Sequence, residues 1–321
     1  MIKTAIIGCG NIGSKRAHTI KNHPETKIEI IIGPNKHGKS CSCRGLDISK
    51  DFGCIYSVDW KRVLDMDIDA VILSTPTAFF EEIGTAVLNS GKHLLVEKPL
   101  GENLSQARAI TDAAIRNERI LKTGFNLRYD DGIQKVRELV DSGKIGEVYF
   151  IKVTYVNGTV LTNSNNVGSL LDIGTHSINL AQWFFPDHDM GQTKVGIQSL
   201  EYSKDDNGFI ILENNNILAN IHFSFVRWKN QFIIEVSGKE GYVTVESLPK
   251  WGTQIVTYGK RVYPSGKPEL SIWEFDTDNS WINELDYFLQ CIKGLDSSYN
   301  AEEGYLTMKL AEDIRSLTKH S

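Results

Sequence analysis

The stretch at residues 4–16, TAIIGCGNIGSKR, constrains this chain more than any other: an apolar run stops at Gly8, Gly10 and Gly13 and continues in residues of helical character. Ala5, Ile6, Ile7 and Cys9 read as a buried parallel strand, and the glycines as its turn into a helix. A strand that passes through Gly-x-Gly-x-x-Gly into a helix is the opening of a dinucleotide-binding unit. Gly8 permits the tight turn, Gly10 lets a pyrophosphate approach the backbone, and Gly13 lets the helix pack closely on the strand. The unsatisfied N–H groups of this turn, where Asn11 and Ile12 lie between the glycines, would bind the diphosphate.

The pattern that follows alternates. Residues 14–22 continue as a helix stopped by His23-Pro24, and 27–32 form a second strand. Short helices at 47–52 and 59–64 flank a short strand at 54–56. Strand 70–74 ends in Thr75-Pro76, helix 79–89 stops at Gly91, strand 93–96 ends in Glu97-Lys98-Pro99, helix 104–117 is amphipathic, and strand 120–123 leads into GFNLRY. Strands alternating with helices predict a parallel sheet covered on both faces. Ligands of such sheets lie beyond the carboxyl ends of the strands, which adds Ser74, Thr75, Pro76, Glu97 and Lys98 to the glycines as cofactor-side residues. Proline after Lys98 biases that lysine to extended backbone, placing its side chain over the sheet edge.

The end of the second strand bears on the cofactor. An acidic residue about 20 positions past the glycines favours NAD, by pairing with a free ribose. Here the sequence reads Gly33-Pro34-Asn35-Lys36, and Lys36, Lys39 or Arg44 could instead meet a 2′-phosphate. Asn35 and Lys36 are therefore assigned to the cofactor site, which holds NAD or NADP with a tilt to NADP.

Beyond residue 124 the pattern changes. A helix at 131–142 is closed by Gly143, residues 147–156 alternate as an antiparallel strand does, and strand-like runs recur at 208–212, 217–225, 232–237, 242–246 and 254–258. Helices return only at 281–293 and 301–319. The expectation is an α/β Rossmann domain with a parallel sheet (1–124), followed by an α+β domain with a mostly antiparallel sheet (125–321).

Within the second half, LLDIGTHSINLAQWFF at 170–185 places Asp172 and His176 four apart and Asn179 three further on. On a helix these three share a face, while Leu171, Ile178, Ala181, Trp183 and Phe184 bury it. Polar groups on a buried helix need partners, which a mutually bonded core cluster would supply, as would a general base with its orienting group.

The charge balance narrows the partners. A formal charge of −5 and a pI near 5.9 argue against nucleic acid and acidic membranes, and no apolar run approaches a bilayer span. Small molecules are the expected ligands and the cytoplasm the expected location. Five scattered cysteines do not form a secreted disulfide framework, and the one-residue spacing of Cys41 and Cys43 is not that of a zinc site, so no metal is expected.

Taken together, AIIGCGNIGSKRAH, STP at 74–76, VEKPL at 96–100, GFNLRY and LLDIGTH resemble the glucose-fructose oxidoreductase and inositol dehydrogenase (Gfo/Idh/MocA) family, in the family's order and spacing along almost the whole chain. The resemblance implies a nicotinamide-binding Rossmann domain, a second domain with a large open sheet, and a homodimer or homotetramer associating through that sheet. It also implies catalytic roles for Lys98, Asp172 and His176. Many members carry a histidine where this chain has Phe79 and Phe80. The segment at 228–246 is similar to members acting in carbohydrate and sugar-nucleotide pathways.

The expected chemistry is hydride transfer between NAD(P) and a secondary alcohol or ketone of a sugar, sugar nucleotide or inositol. His176 takes the hydroxyl proton, Asp172 orients it, and Lys98 offsets charge on the same oxygen. Asn126, Arg128 and Asn179, with these three, are the expected substrate contacts. Two rivals stay open at this point: an enzyme of changed reaction, either a reductase of imines or non-sugar carbonyls or a glycosidase using transient oxidation, and a non-catalytic nicotinamide-sensing regulator.

Overall fold

The computed structural model describes residues 1–34, 44–159, 167–184, 192–214, 217–296 and 298–318. Asn35, Lys36, Lys39, Cys41 and Cys43 lie outside the described residues. The chain divides into two compact units, Met1–Phe125 with Trp281–Met308, and Asn126–Ser280 with Lys309–Ser321.

The first unit holds a six-stranded sheet in which every pairing is parallel. Its strands are β1 (Ile2–Ile7), β2 (Thr26–Ile32), β3 (Ile55–Ser57), β4 (Ala70–Leu73), β5 (His93–Glu97) and β6 (Leu121–Gly124), in the order β3-β2-β1-β4-β5-β6. The chain leaves β1 for one side and β4 for the other, which makes the β1/β4 ends the switch point where ligands of such sheets lie. β4 is apolar and buried throughout, and β1 is buried over its last four residues, because helices cover both faces. Helices α1 (Asn11–Asn22), α2 (Gly45–Phe52), α3 (Arg62–Asp65), α4 (Phe80–Asn89) and α5 (Leu104–Arg116) connect the strands.

The first unit also takes a helix from far along the chain. Helix α8 (Ser280–Ile292) contributes Leu285, Phe288 and Leu289 to the core formed by Ile6, Ala17, Ile20, Ile31, Ile72 and Leu95. A division at residue 124 assigns this helix to the second domain. Its apolar stripe is instead buried against the first sheet, which leaves a discontinuous unit.

The second unit is built on an eight-stranded sheet ordered β14-β13-β12-β11-β7-β10-β9-β8. The strands are β7 (Val148–Val156), β8 (Gln192–Gln198), β9 (Asn207–Asn214), β10 (Ile217–Ser224), β11 (Gln231–Gly238), β12 (Gly241–Glu246), β13 (Gln254–Val262) and β14 (Gly266–Phe275). All pairings are antiparallel except β7 with β10. The strand patterns put Ile151, Val153, Ile210, Leu212, Ala219, Ile221, Ile234, Val236 and Val243 on the covered face. Helix α7 (Thr175–Phe184) packs there against β7 and β10, and helix α6 (Asp131–Asp141) against β12 to β14. Strand β14 had no separate sequence expectation: an edge strand exposed along most of its length carries no burial pattern. A last helix, α9 (Glu303–Thr318), spans the boundary between the units. Among the described residues, no helix is long and apolar enough to cross a membrane.

Candidate active site

The first unit gathers the cofactor-side residues at its strand ends. The Gly8 N–H donates to Ile32 O at 2.9 Å and the Ser74 N–H to Ile7 O at 2.8 Å, locking the turn after β1 to its neighbours. Gly8 adopts φ 89°, and a side chain there would meet the Ser74 and Thr75 backbone at 2.6 Å. A Cβ on Gly13 would come within 2.0 Å of Gly8 O. Both positions therefore exclude any other residue. Helix α1 starts at Asn11 with Gly10 as its N-cap, with no side-chain cap and no acidic residue in its first turn. Its N-terminal N–H groups and the positive end of its dipole favour an anion. Beside this turn the hydroxyls of Ser74 and Thr75 are buried with no protein partner among the described residues. Orphaned donors next to a cradle that only glycine can line fit a nicotinamide dinucleotide, whose diphosphate residues 10–13 could hold beside the hydroxyls of Ser74 and Thr75.

Two further features of this unit matter for Lys98, which is half-buried just past β5. Of Phe79 and Phe80, where the family resemblance implies a histidine, Phe80 is buried in the core and Phe79 is half exposed. Glu97, the last residue of β5, accepts a bond from Arg16 Nε at 2.8 Å. Arg16 Nη1 reaches Glu284 of α8 at 2.5 Å, and Lys122 Nζ lies 3.1 Å from Glu303. Arg16, Lys122 and Glu284 are almost wholly buried. Burial opposes the charge on Arg16, but Glu284 and Glu97 outweigh it and hold the guanidinium above its ordinary range. Burial pushes the Glu284 carboxyl up. Sequence inspection did not single out this network; the acidic residue within the apolar stripe of α8 was its one visible sign.

The second unit carries the proposed acid–base residues. Asp205 accepts from Ser169 Oγ at 3.0 Å and from the Leu170 N–H at 2.7 Å, capping the segment that follows. Leu170–Gly174 winds as a π-helix before the chain tightens into α7. The expected helical face is thus altered: the wider turn at Asp172 removes the simple α-helical meaning of a four-residue spacing from His176. Single π turns inside helices recur at functional sites. His176 and Asn179 are buried, and Asp172 is half-buried. Leu171, Ile178, Ala181 and Phe184 are buried as expected, and Trp183 is partly exposed.

The remaining expected contacts belong to the same unit. Asn126 Nδ2 donates to Ser280 Oγ at 2.8 Å, so part of its amide holds structure. The Arg128 guanidinium stacks 4.9 Å from the Trp183 ring centroid, with Arg137 5.3 Å from the same ring. The Tyr155 ring, absent from the sequence assignment, lies 6.2 Å from the His176 ring. Within the alternating strand 147–156 nothing set it apart from a core aromatic.

Comparison with known proteins gives a consistent picture. Residues 2–125 match an oxidoreductase family with an NAD-binding Rossmann fold, and residues 133–244 match the GFO/IDH/MocA C-terminal domain. The chain is 22% identical over 325 residues to an inositol 2-dehydrogenase of Rhizobium meliloti, covering 97% of this chain and 95% of that one. It is 27% identical over 189 residues to an inositol 2-dehydrogenase/D-chiro-inositol 3-dehydrogenase of Lacticaseibacillus casei, spanning 58% of this chain and about half, 54%, of that enzyme. The structure of a levoglucosan dehydrogenase in complex with NADH and L-sorbose superimposes with a TM-score of 0.83 at 18% identity, covering 100% and 98% of the two chains.

Proposed function

The chain belongs to the Gfo/Idh/MocA family of nicotinamide-dependent oxidoreductases, and from that membership we propose that it catalyses reversible hydride transfer at a secondary alcohol of a sugar, a sugar nucleotide or an inositol. One observation carries the reading: His176 and Asp172 stand on a capped, buried segment with a π turn, in a chain whose other unit holds a glycine cradle flanked by orphaned hydroxyls. The inositol dehydrogenase names of its relatives support the substrate class.

In this proposal Gly10, Asn11, Ile12 and Gly13 bind the diphosphate, and Ser74, Thr75, Pro76, Glu97 and Lys98 line the rest of the cofactor site. A bound nicotinamide supplies the redox chemistry. His176 accepts the proton of the reacting hydroxyl, as a general base placed beside it does. Asp172 orients the ring and stabilises its protonated form. Lys98 donates to the same oxygen and offsets the charge that develops there. Asn126, Arg128 and Asn179 hold neighbouring hydroxyls.

The proposed cofactor is NAD or NADP with a slight lean to NADP, because β2 ends at Ile32 and is followed by Gly33 and Pro34 with no carboxylate for a free ribose. Association through the open sheet as a dimer or tetramer is also proposed. Phe209, Ile211, Leu218, Ile255 and Ile272 are large apolar residues exposed on that sheet. The proposed location is the cytoplasm.

The test is to identify the cofactor that co-purifies, compare affinities for NAD and NADP, and follow reduced-nicotinamide absorbance across inositols, sugars and nucleotide sugars. Turnover of a cyclic polyol or sugar is the expected result. Tight nicotinamide binding with no turnover on any of them would replace this reading with a sensing role.

A further inference from the structure

The turn after β12 is fixed with unusual firmness for a surface loop. Ser247 adopts φ 73°, a left-handed conformation that strains a non-glycine residue, and Gly252 adopts φ 134°. The Ser247 N–H donates to Phe232 O at 2.9 Å and the Trp251 N–H to Leu248 O at 2.8 Å, while Gln254 Nε2 donates to Ser247 O at 3.2 Å. Leu248 is buried beneath the turn. What this scaffold presents is Lys250 and Trp251.

Lys250 Nζ donates to Tyr155 Oη at 3.2 Å and lies 4.9 Å from the Trp251 ring centroid. The rings of Tyr155 and Trp251 meet edge to face at 5.9 Å. An ammonium has three N–H donors, and the tyrosine accepts one. Among the described residues no carboxylate forms an ion pair with Lys250. Tyr155 is buried at the carboxyl end of β7 and spans the interval between this cation, at its hydroxyl, and His176, 6.2 Å from its ring. All of these groups belong to the second unit.

We infer that Lys250, Tyr155 and Trp251 form an oxyanion subsite beside His176, so that the preferred substrate carries a carboxylate or a phosphate in addition to its reacting hydroxyl. The inference rests on the oxidoreductase reading for the role of His176. A ring-shaped substrate with its reacting hydroxyl at His176 extends along Tyr155 and presents its far substituent to the two remaining N–H groups of Lys250. Hydrogen bonds from a cation to an oxyanion are short and strong, so this contact discriminates charged from neutral substrates. Strained backbone at a ligand clamp has a function that it lacks in an ordinary turn.

The experiment is calorimetric binding of D-glucuronate, D-glucose 6-phosphate and D-glucose to the full chain loaded with nicotinamide cofactor, in the wild type and in Lys250→Met and Lys250→Arg. At least one charged sugar is expected to bind about tenfold or more tighter than glucose, with the advantage shrinking as salt is raised. Which of the two binds tighter identifies the oxyanion. The advantage is expected to vanish in Lys250→Met and to persist in Lys250→Arg; because Lys250 is exposed, both proteins should fold. Equal affinity for charged and neutral sugars in the wild type, or an advantage that survives in Lys250→Met, overturns the subsite. Absorbance assays on the same samples separate the two readings. Lys250-dependent binding with no hydride transfer on these sugars or on the wider panel of inositols, sugars and nucleotide sugars sinks the oxidoreductase reading alone, and turnover with no charge preference sinks the subsite alone.

Discussion

Arg16 and Glu97 are joined in a buried ion pair, Nε to Oε1 at 2.8 Å, that ties the helix leaving the glycine turn to the strand end bearing Lys98. The pair sits against Gly124, where a Cβ would approach Arg16 Nη2 at 2.9 Å and Glu97 Oε2 at 3.0 Å. Glu284 completes it from α8, and Trp281 of the same helix stacks 4.5 Å from the guanidinium. Removing one partner of a buried pair leaves an uncompensated charge and costs about 3–5 kcal/mol. Arg16→Met, which sets Glu97 and Glu284 together with no cation between them, is expected to lose that much stability in denaturant melts. It should also weaken nicotinamide binding, since Glu97 precedes Lys98 in the proposed cofactor site. Arg16→Lys keeps the charge without the two-sided fork and should recover part of both. Unchanged melting and unchanged cofactor affinity in Arg16→Met would show that the pair positions nothing.

The proton-transfer assignment gives a kinetic expectation. His176→Ala and Lys98→Ala should each lower turnover by about 100-fold or more while cofactor still binds. Asp172→Asn should lower kcat with a smaller effect on KM, because an orienting group acts on the transition state through the histidine. If Asp172 acts only through His176, the double variant Asp172→Asn/His176→Ala will be no slower than His176→Ala. Steady-state rates of the three variants decide this, and full additivity of the two losses would mean that Asp172 has a separate role.

A titration distinguishes one helix cap. Asp130 caps α6 by accepting from the Ile133 N–H at 3.1 Å, and burial raises its carboxyl from the ordinary 3.8 to about 6. A carboxyl with a raised pKa binds its proton more readily in the folded chain. Its contribution to stability is therefore complete below pH 3.8 and is lost as pH rises through 6. The difference amounts to about 2–3 kcal/mol. Asn at this position caps equally well and carries no charge. Asp130→Asn is accordingly expected to melt higher than the wild type at alkaline pH, with the gap closing as pH falls toward 4. A gap that stays constant across the pH range would show that the Asp130 charge is not what sets it.

The Rossmann half of the fold was legible because its requirements are local. A turn that meets its own backbone at 2.0 Å when a Cβ is added at Gly13 can be written only with glycine, and strands buried on both faces appear as apolar runs. What the sequence concealed depends on distant partners. Helix α8 shows an amphipathic stripe, but nothing in it says which sheet the stripe covers. Glu284 becomes meaningful only once Arg16 and Lys122 surround it. The Asp-His spacing was visible, whereas the π turn beneath it depends on a cap from Asp205, 35 residues away from Leu170. Lys250 had no motif at all, because its environment is made by a strand almost a hundred residues earlier.

That cap supplies a test of the second half of the site. A Cβ on Gly168 would lie 2.0 Å from Asp205 Oδ1, so Gly168→Ala must displace the carboxylate that receives the Ser169 hydroxyl and the Leu170 N–H. Displacement should cost about 1–3 kcal/mol, as forced packing does, and should lower kcat because Asp172 follows two residues after the cap. If the clash with Asp205 is the cause, the losses will not add: Gly168→Ala/Asp205→Ala should be destabilised by less than the sum of the single variants, since the second substitution removes the obstacle to the first. Denaturant midpoints and kcat for the wild type and three variants complete the cycle. Strict additivity in stability would mean that the methyl group at 168 is resisted by something other than Asp205.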